Sequence, residues 1–153
     1  MEIGSYDGFF IKDYISFKKI ILTDLTPYSN LYPNDPKFEF ILLNGMDLEN
    51  VMTSSTNVIF SIDTLVKLEK NILSKYFRDF GRIISPNGYL IVHIPDFLTT
   101  GLFVMSYTRV SRFFFSKCLK KYFDDIIYTD ELHSLGTFLI AKRNDKPYQQ
   151  NSK

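Results

Sequence analysis

The stretch Glu2-Ile3-Gly4-Ser5-Tyr6-Asp7-Gly8 decides the fold prediction for this chain. Two glycines four residues apart follow a short apolar run, and an amphipathic segment comes next, at residues 9–15. Glycine permits the positive φ angles with which a strand turns sharply into a helix, and such a turn leaves backbone groups open to a ligand. We therefore predict a strand over residues 1–3, a ligand-binding turn over residues 4–8 and a short crossover helix over residues 9–15.

An acidic residue ends the next apolar run, at residues 19–24. This acid, Asp24, lies roughly 20 residues beyond the first glycine, the spacing at which open α/β folds hold a ribose. The carboxyl ends of neighbouring parallel strands share one edge of a sheet. Asp24 is therefore predicted to lie beside the glycine turn.

Apolar runs and amphipathic runs alternate along the rest of the chain. Further strands are predicted at residues 38–43, 58–61, 89–94, 126–129 and 137–142. Helices are predicted at residues 47–52, 65–84 and 106–122, with a loop at 26–36 and a turn at 86–88. This alternation indicates a parallel sheet of the α/β class, and the short separation of the last two strands indicates an antiparallel return.

Taken in order, five motifs resemble those of the class I S-adenosylmethionine-dependent methyltransferases. The acid and glycine-rich turn of that family are matched by Glu2, Gly4 and Gly8, and the acid that ends its second strand is matched by Asp24. Tyr6 stands where the family usually has a further glycine. The resemblance thus begins at the stretch from which the fold prediction started.

The resemblance continues along nearly the whole chain. Gly45-Met46-Asp47-Leu48 resembles the end of the family's third strand, and residues 57–65 resemble its fourth strand and the helix that follows. Residues 82–90, which read Arg-Ile-Ile-Ser-Pro-Asn-Gly-Tyr-Leu, are similar to its turn into strand five. The resemblance implies a Rossmann-like three-layer sandwich with a mostly parallel seven-stranded sheet, in the order 3-2-1-4-5-7-6 and with strand 7 antiparallel.

The same resemblance sets the expected extent of the domain. It implies a methyltransferase domain over residues 1–143, truncated at its amino end because the family's helices ahead of strand one have no counterpart here. Residues 144–153 are polar and include a proline, so we expect a disordered tail.

S-adenosylmethionine is the cofactor that the resemblance implies. Asp24 would accept the ribose hydroxyls and Asp47 the adenine amino group, while Glu2 and Asp7 would favour the cationic groups. The expected contact residues are Glu2, Gly4, Ser5, Tyr6, Asp7, Gly8, Asp24, Leu25, Met46, Asp47, Leu48, Ser61 and Ile62.

Asp63 is the candidate for orienting the methyl acceptor, because it follows the predicted fourth strand. The alternative is that it begins the next helix and interacts with the helix dipole. His93 lies in an apolar strand, which favours a hydrogen-bonded structural histidine over a catalytic base. Methyl transfer depends strongly on geometry, so no catalytic residue is required.

The acceptor class stays open between protein, small molecule and RNA. The chain lacks Asn-Pro-Pro-Tyr after strand four, the family's signature for methylating base amino groups, and it has no cysteine there to attack a pyrimidine. A basic run interleaved with phenylalanines suits an acidic or nucleic-acid substrate, but solvated charges beside packed rings are favoured. Its basic members are Arg109, Arg112, Lys117, Lys120 and Lys121.

Two other functions compete with the enzyme. Tyr6 and the absent leading helices suggest a catalytically inactive methyltransferase-like protein that serves binding or assembly. The absent leading helices also suggest a homodimer in which a second copy covers the site. A nicotinamide-binding protein is disfavoured, because residues 4–8 lack the Gly-x-Gly-x-x-Gly pattern and place an acid where a pyrophosphate would bind.

Composition limits the remaining choices. The chain has 153 residues, 45% of them hydrophobic, which suits one domain with a core. A net charge of +1 gives no general attraction to nucleic acid or an anionic membrane. The single cysteine, Cys118, excludes an internal disulfide, and neither His93 nor His133 belongs to a cluster with metal-ligand spacing.

Location and origin follow from the same composition. No leader or membrane-length apolar run is found, so an intracellular, cytoplasmic location is expected. Abundant Ile, Asn, Lys, Tyr and Phe are typical of AT-rich coding DNA, as in many microbes and viruses. For a viral protein the expected location would be the host cytoplasm.

Overall fold

The structure is a computed structural model that describes residues 1–14, 16–94, 110–129 and 137–145. These residues contain the strands β1 (Glu2–Ile3), β2 (Ile20–Asp24), β3 (Phe38–Leu42), β4 (Thr56–Ser61), β5 (Ile84–Ile94), β6 (Phe123–Thr129) and β7 (Thr137–Arg143). They also contain the helices α1 (Lys70–Ile83) and α2 (Arg112–Leu119), with short 3-10 helices at Ile11–Tyr14, Tyr28–Leu31 and Leu65–Lys67.

The strands form one seven-stranded sheet in the order β3-β2-β1-β4-β5-β7-β6. The pairs from β3 to β5 are parallel, and β7 is antiparallel to both β5 and β6. The predicted topology is therefore confirmed, including the antiparallel strand 7. Because β1 to β4 are parallel, the residues that follow these strands all lie at one edge of the sheet.

Helix α1 covers one face of the sheet with aromatic side chains. Its buried residues recur every three or four positions, so they lie on one face of the helix. Phe77 packs edge-on against Phe80 and against Phe115 of α2, with ring centroids 5.8 Å and 5.4 Å apart. Each fully buried ring contributes about 1.5–3 kcal/mol, so these contacts fix α1 against the sheet.

The prediction of one unbroken helix over residues 65–84 is wrong. Leu65–Lys67 is a separate 3-10 helix, and α1 begins only at Lys70. The backbone between them is extended at Leu68, where ψ is 144°. Leu65 and Val66 are fully buried, and Leu68 then packs against the edge of the core. Apolar spacing alone does not show this interruption, because 3-10 and α-helical periods are similar over so few residues.

The predicted turn at residues 86–88 is instead an irregular part of β5. Thr56 of β4 pairs with Ile84 and Val58 pairs with Tyr89, so β5 carries extra residues between these two pairs. Among these extra residues, Asn87 has a left-handed backbone with a φ of +63°. A side chain at Gly88 would lie 2.5 Å from the Asn57 carbonyl oxygen, so only glycine fits this close approach. As a result α1 passes directly into β5.

Two predicted helices are shorter than expected or absent. Within residues 9–15 the structure has only the 3-10 helix Ile11–Tyr14, none of whose residues is buried. A 3-10 helix rises about 2.0 Å per residue, against 1.5 Å in an α-helix, so few residues suffice for this crossover. Residues 47–52 form no helix, because the Asn44 side chain accepts the backbone N–H groups of Met46 and Asp47 and holds a turn.

The carboxyl-terminal part follows the prediction with shifted boundaries. Helix α2 begins after Ser111, whose side chain caps it by accepting the Phe114 N–H, and residues 106–109 of the predicted helix lie outside the described residues. Beyond β7, Asn144 is buried beside Arg143. Residues 146–153 of the predicted tail also lie outside the described residues. Within the part of the chain that is described, no helix combines the length and hydropathy needed to cross a membrane.

Candidate functional site

The glycine turn after β1 is folded against the tip of β2. Gly4 has a φ of +76°, and the N–H groups of Gly4 and Ser5 both donate to the Thr23 carbonyl oxygen, at 2.8 Å and 2.9 Å. A side chain at position 4 would lie 1.9 Å from the Thr64 Oγ1. The turn is therefore in direct contact with the loop that follows β4, and glycine is required there.

The carboxylate of Asp24 holds this turn in place. Its Oδ2 accepts the Tyr6 N–H at 2.9 Å, and its Oδ1 accepts the N–H groups of Leu25 and Thr26 at 2.7 Å and 3.1 Å. Hydrogen bonds to a charged acceptor are about twice as strong as neutral ones. Two carboxylate oxygens offer about four acceptor sites, so one remains for a ligand.

A cavity of about 370 Å³ lies at the carboxyl ends of β1 to β4. Its volume falls within the range of about 300–1,000 Å³ that small-molecule sites occupy. We name it the carboxyl-end cavity. Its walls are mostly apolar, with two carboxylates and one lysine, and its lining residues are Ile3, Gly4, Tyr6, Asp24, Leu25, Leu43, Gly45, Ile62, Asp63, Thr64, Lys67, Leu68 and Tyr76.

Five of the predicted cofactor contacts line this cavity: Gly4, Tyr6, Asp24, Leu25 and Ile62. The structure brings them together although they come from the ends of three different strands. Asp24 was singled out for its spacing from the first glycine, and it lies where that spacing predicts.

Tyr6, which stands where the resembled family has a glycine, lies at the rim of the cavity. Its backbone is left-handed, with a φ of +44°, and its side chain is 61% exposed. The ring packs edge-on against Tyr28 at 5.1 Å, and the Tyr32 hydroxyl donates to its carbonyl oxygen at 2.7 Å. The bulky side chain is therefore turned largely toward solvent.

Asp47 lies close to the cavity without lining it. Its carboxylate accepts from the Asn44 side chain at 3.1 Å. Burial and, to a smaller extent, the nearby charges of Asp47 and Asp79 together raise the pKa of the lining residue Tyr76 to about 12. Asp47 is thus near enough to the cavity wall to act on Tyr76 electrostatically.

The other predicted contacts have structural partners or lie further out. The Ser5 hydroxyl shares a hydrogen bond of 2.8 Å with Tyr32, and the Ser61 hydroxyl donates to the Ile3 carbonyl oxygen at 3.0 Å. Leu48 is part of the core and Met46 is 46% exposed. Asp7 and Gly8 lie on the outer part of the glycine turn. Their contact with a cofactor stays a prediction.

Glu2 lines a different cavity, of about 390 Å³, at the amino ends of β1, β2 and β4. We name it the amino-end cavity. Burial raises the pKa of Glu2 to about 7, and the Tyr14 hydroxyl partly offsets the rise without a hydrogen bond of good geometry. Among the residues described, no hydrogen-bond partner is found for the Glu2 Oε2.

A hydrogen bond joins two residues that the sequence analysis treated separately. His93 Nδ1 lies 2.7 Å from the Asp63 Oδ1, and the imidazole is fully buried and stacked on Phe138 at 5.5 Å. His93 is therefore hydrogen-bonded, as its position in an apolar strand predicts. Asp63 lines the carboxyl-end cavity and has a φ of +55°.

Several lining residues were not predicted from the sequence. Leu43 and Gly45 follow β3, Thr64 and Leu68 flank the 3-10 helix after β4, and Lys67 is the last residue of that helix. Tyr76 belongs to the buried face of α1. Each of these residues either follows a parallel strand or lies on a helix that faces the same edge of the sheet. This position could have indicated them as lining residues, but only after the order of the strands is known.

The described basic residues of the run around α2, Arg112, Lys117, Lys120 and Lys121, do not line this cavity, and Arg109 lies outside the described residues. Arg112 packs over the Tyr128 ring at 5.4 Å and donates to the Thr137 Oγ1 at 3.0 Å. Phe115 is buried, whereas Phe113, which was expected to pack on the sheet, is 77% exposed. The burial of Phe115 and Leu119, four residues apart, sets the phase of the helix and turns Phe113 outward.

A search for metal sites in residues 1–14, 16–94, 110–129 and 137–145 finds no group of three or more His, Cys, Asp or Glu side chains that could hold an ion.

Comparison with known proteins gives matches in structure. No model of a protein family and no curated protein matches the chain. An S-adenosylmethionine-dependent methyltransferase from Mesorhizobium loti matches with a TM-score of 0.72 and 11% identity, over 93% of this chain and 89% of that one. A SAM-dependent methyltransferase from Methanosarcina mazei matches with a TM-score of 0.68 and 13% identity, over 94% and 91%.

A third similar structure contains a ligand. The N-methyltransferase NodS from Bradyrhizobium japonicum, in complex with S-adenosyl-L-homocysteine, matches with a TM-score of 0.71 and 12% identity, over 95% of this chain and 76% of that one. At such identities the likeness concerns the fold. The chain therefore has the Rossmann-like fold of the class I S-adenosylmethionine-dependent methyltransferases, as its motifs predicted.

Proposed function

We propose that the protein is an S-adenosylmethionine-dependent methyltransferase whose acceptor is a protein, a small molecule or an RNA. One observation carries the proposal: the Asp24 carboxylate, which fixes the glycine turn through the Tyr6 N–H, also lines the carboxyl-end cavity. A ribose hydroxyl is a suitable donor to that carboxylate. The fold supports the proposal, since similar folds occur in proteins described as methyltransferases.

The chemistry of the cavity fits the cofactor. Asp24 would hold the ribose, and Leu25, Leu43 and Ile62 give apolar walls for the adenine. Asp47, beside Tyr76, is proposed for the adenine amino group. When bound, the cofactor supplies an electrophilic methyl group on a sulfonium, a cation that the carboxylates of Asp24 and Asp63 attract.

The same charges disfavour a dinucleotide. A pyrophosphate is an anion and needs a helix amino end or a turn free of nearby carboxylates. Here the turn is followed by a 3-10 helix rather than an α-helix, and the cavity beside it contains Asp24 and Asp63. The acids therefore favour a cationic nucleoside.

Calorimetry with S-adenosylmethionine, S-adenosylhomocysteine and NAD tests the proposal. We expect saturable binding of the first two below about 1 mM and none of NAD. Asp24→Ala should weaken binding about 30- to 100-fold, because it removes a charge-assisted contact and frees the turn. A matched control is Asp35→Ala, because the Asp35 Oδ1 also accepts an N–H from two residues ahead, at 2.9 Å.

The outcomes separate the functions considered. Binding that Asp24→Ala does not weaken would contradict the proposed methyltransferase function. The absence of binding for both S-adenosylmethionine and S-adenosylhomocysteine would also contradict it. Binding without turnover on any acceptor would instead support an inactive binding or assembly protein. Saturable NAD binding would support a nicotinamide-binding protein.

We also propose that a second copy of the chain covers the cavity. Two lining residues expose large apolar side chains, Tyr6 at 61% and Leu25 at 59%. Leu42 at 51% and Met46 at 46% are exposed next in sequence to the lining residues Leu43 and Gly45. Exposed apolar residues that cluster at a site are typical of an interaction surface. Sedimentation that shows a monomer at high concentration would exclude this homodimer.

A further inference from the structure

The Asp63–His93 pair places a carboxylate at the cavity and a buried imidazole behind it. Asp63 lines the carboxyl-end cavity, and its side chain is 46% exposed. His93 is not among the residues that line this cavity, and its exposure is 0%. A ligand in the cavity can therefore touch Asp63, whereas His93 acts on it from behind.

The hydrogen bond between them has a defined direction. An ionised carboxylate only accepts, so the proton of the 2.7 Å bond belongs to the His93 Nδ1. The imidazole is fixed by its burial in β5 and by its stacking on Phe138 at 5.5 Å. Because the donor cannot move, it fixes the orientation of the Asp63 carboxylate.

The backbone at Asp63 is left-handed, with a φ of +55°. Aspartate and asparagine occupy this region more readily than other side-chain residues, so either residue type fits the position. The next residue, Thr64, packs against Gly4 of the glycine turn, so Asp63 is held at a fixed place beside it.

We propose that Asp63 is the catalytic residue that faces the reacting methyl group and accepts the proton of the acceptor, with His93 as its positioning residue. This inference rests on the proposed function and narrows its substrate class. A carboxylate at this place suits an amine or hydroxyl acceptor, whose N–H or O–H it orients and deprotonates. An acceptor without a transferable proton gains nothing from it.

The chemical step balances without a further reactant. The acceptor nitrogen or oxygen forms a bond to the methyl carbon, while the bond between that carbon and the sulfonium sulfur breaks and its electron pair stays on sulfur. The acceptor proton passes to the Asp63 carboxylate and then to water. General base catalysis of this kind typically contributes about 10²- to 10⁴-fold to a rate.

A comparison of two ligands tests the proposal without a known acceptor. S-adenosylhomocysteine lacks the methyl group, whereas sinefungin carries an amine on a carbon that replaces the sulfonium. That amine is protonated at pH 7 and lies where the methyl group would be. If Asp63 faces this place, sinefungin should bind at least about tenfold more tightly than S-adenosylhomocysteine.

Variants of the pair separate chemistry from folding. Asp63→Asn keeps a residue type that tolerates positive φ but removes the charge, so we expect it to fold. It should lose the preference for sinefungin and keep the affinity for S-adenosylhomocysteine within about twofold. His93→Phe keeps a ring against Phe138 without the donor and should reduce the preference about threefold. His93→Asn, whose amide can donate from the place of Nδ1, should restore part of it.

Each calorimetric outcome has a defined meaning. A preference that survives Asp63→Asn, or no preference in the unchanged protein, overturns the assignment of Asp63. Equal loss of both ligands in Asp63→Asn would also overturn it, since Asp63 would then hold the cofactor or the fold. An unchanged preference in His93→Phe overturns the role of His93. If neither ligand binds the unchanged protein, the proposed function itself fails.

Discussion

The two cavities at opposite ends of the same parallel strands are nearly equal in size, about 370 Å³ and 390 Å³, yet they hold their carboxylates differently. At the carboxyl end, Asp24 accepts three backbone N–H groups. At the amino end, the Glu2 Oε2 has no hydrogen-bond partner in the part of the chain that is described. The two cavities therefore differ in how their carboxylates are held and hardly at all in volume.

Chain direction explains the difference. The loops that leave β1 and β2 turn sharply at the carboxyl end, and the N–H groups of Tyr6, Leu25 and Thr26 converge on the Asp24 carboxylate. The amino-end cavity is lined instead by residues that lead into these strands, such as Phe17 and Lys19. Each prediction below would break or sharpen this contrast.

The largest expected effect concerns the loop that follows β3. Asp79 is 2% exposed, accepts the Leu48 N–H at 3.0 Å and lies 3.7 Å from Arg82, which donates to the Leu48 carbonyl oxygen at 2.8 Å. Asp79→Ala removes one partner of this buried pair, so we expect a loss of about 4 kcal/mol in the free energy of unfolding. Urea denaturation measures it.

The control is Arg78→Ala. Arg78 also pairs with Asp79, at 3.4 Å, but its side chain is 44% exposed, so its loss should cost less than about 1 kcal/mol. If the two variants lost equal amounts of unfolding free energy, the burial of Asp79 would not be the reason why it holds the loop after β3.

Gly4→Ala comes next in size. The new methyl group would meet Thr64 and the φ of +76° would be strained, for a combined cost of about 3–4 kcal/mol. The double variant Gly4→Ala/Thr64→Gly removes the clash and should recover about half of that cost. Gly45→Ala, with a similar φ of +78° but its nearest atom 3.1 Å away, isolates the backbone contribution. A Gly4→Ala cost no larger than that of Gly45→Ala would contradict the close contact.

Glu2→Gln tests the amino-end cavity. The pKa of Glu2 is raised to about 7 from 4.5, so the folded protein binds one proton more than the unfolded chain between these values. The contribution of Glu2 to stability should therefore fall as the pH rises from about 4.5 to 7, by roughly 3 kcal/mol in total. Glu2→Gln should flatten this slope and stabilise the protein at pH 8, in thermal or urea unfolding.

The same variant also compares the two ends directly. If Glu2 does not touch the cofactor, Glu2→Gln leaves the affinity for S-adenosylhomocysteine unchanged, in contrast to Asp24→Ala. A loss of affinity with Glu2→Gln would support the contact that the sequence predicts and would weaken the distinction between the cavities.

The smallest expected effect compares two hydroxyl groups. Tyr32 donates to the Tyr6 carbonyl oxygen and shares a bond with Ser5, so Tyr32→Phe loosens the glycine turn by about 1 kcal/mol and weakens S-adenosylhomocysteine binding about fivefold. The Tyr14 hydroxyl has no hydrogen bond of good geometry within the described residues, so Tyr14→Phe should leave binding unchanged. If calorimetry gave both variants the same affinity for S-adenosylhomocysteine, the difference between the two cavities would be contradicted.

The α/β class followed from the alternation of apolar and amphipathic runs, and the strand order followed from the resemblance to the methyltransferase family. The place of Asp24 beside the glycine turn followed from its spacing. The sequence did not show that Glu2 lines the amino-end cavity, because this cavity is formed by residues from distant parts of the chain that lead into β2 and β4. A contact of Glu2 with a cofactor stays a prediction. The Asp63–His93 bond joins residues 30 positions apart, a contact that arises only when β4 and β5 pair.

The direct passage of α1 into β5 has a mechanical consequence. Helix α1, which contains Tyr76, continues into strand β5, which contains His93, without a connecting loop. A change in the angle between the helix and the strand would break the pairing of Ile84 with Thr56. The wall of the carboxyl-end cavity that contains Tyr76 is therefore stiff. Hydrogen exchange should accordingly be slow along α1 and β5, and slow also at Ser5 and Tyr6, whose N–H groups donate to the Thr23 carbonyl oxygen and the Asp24 carboxylate.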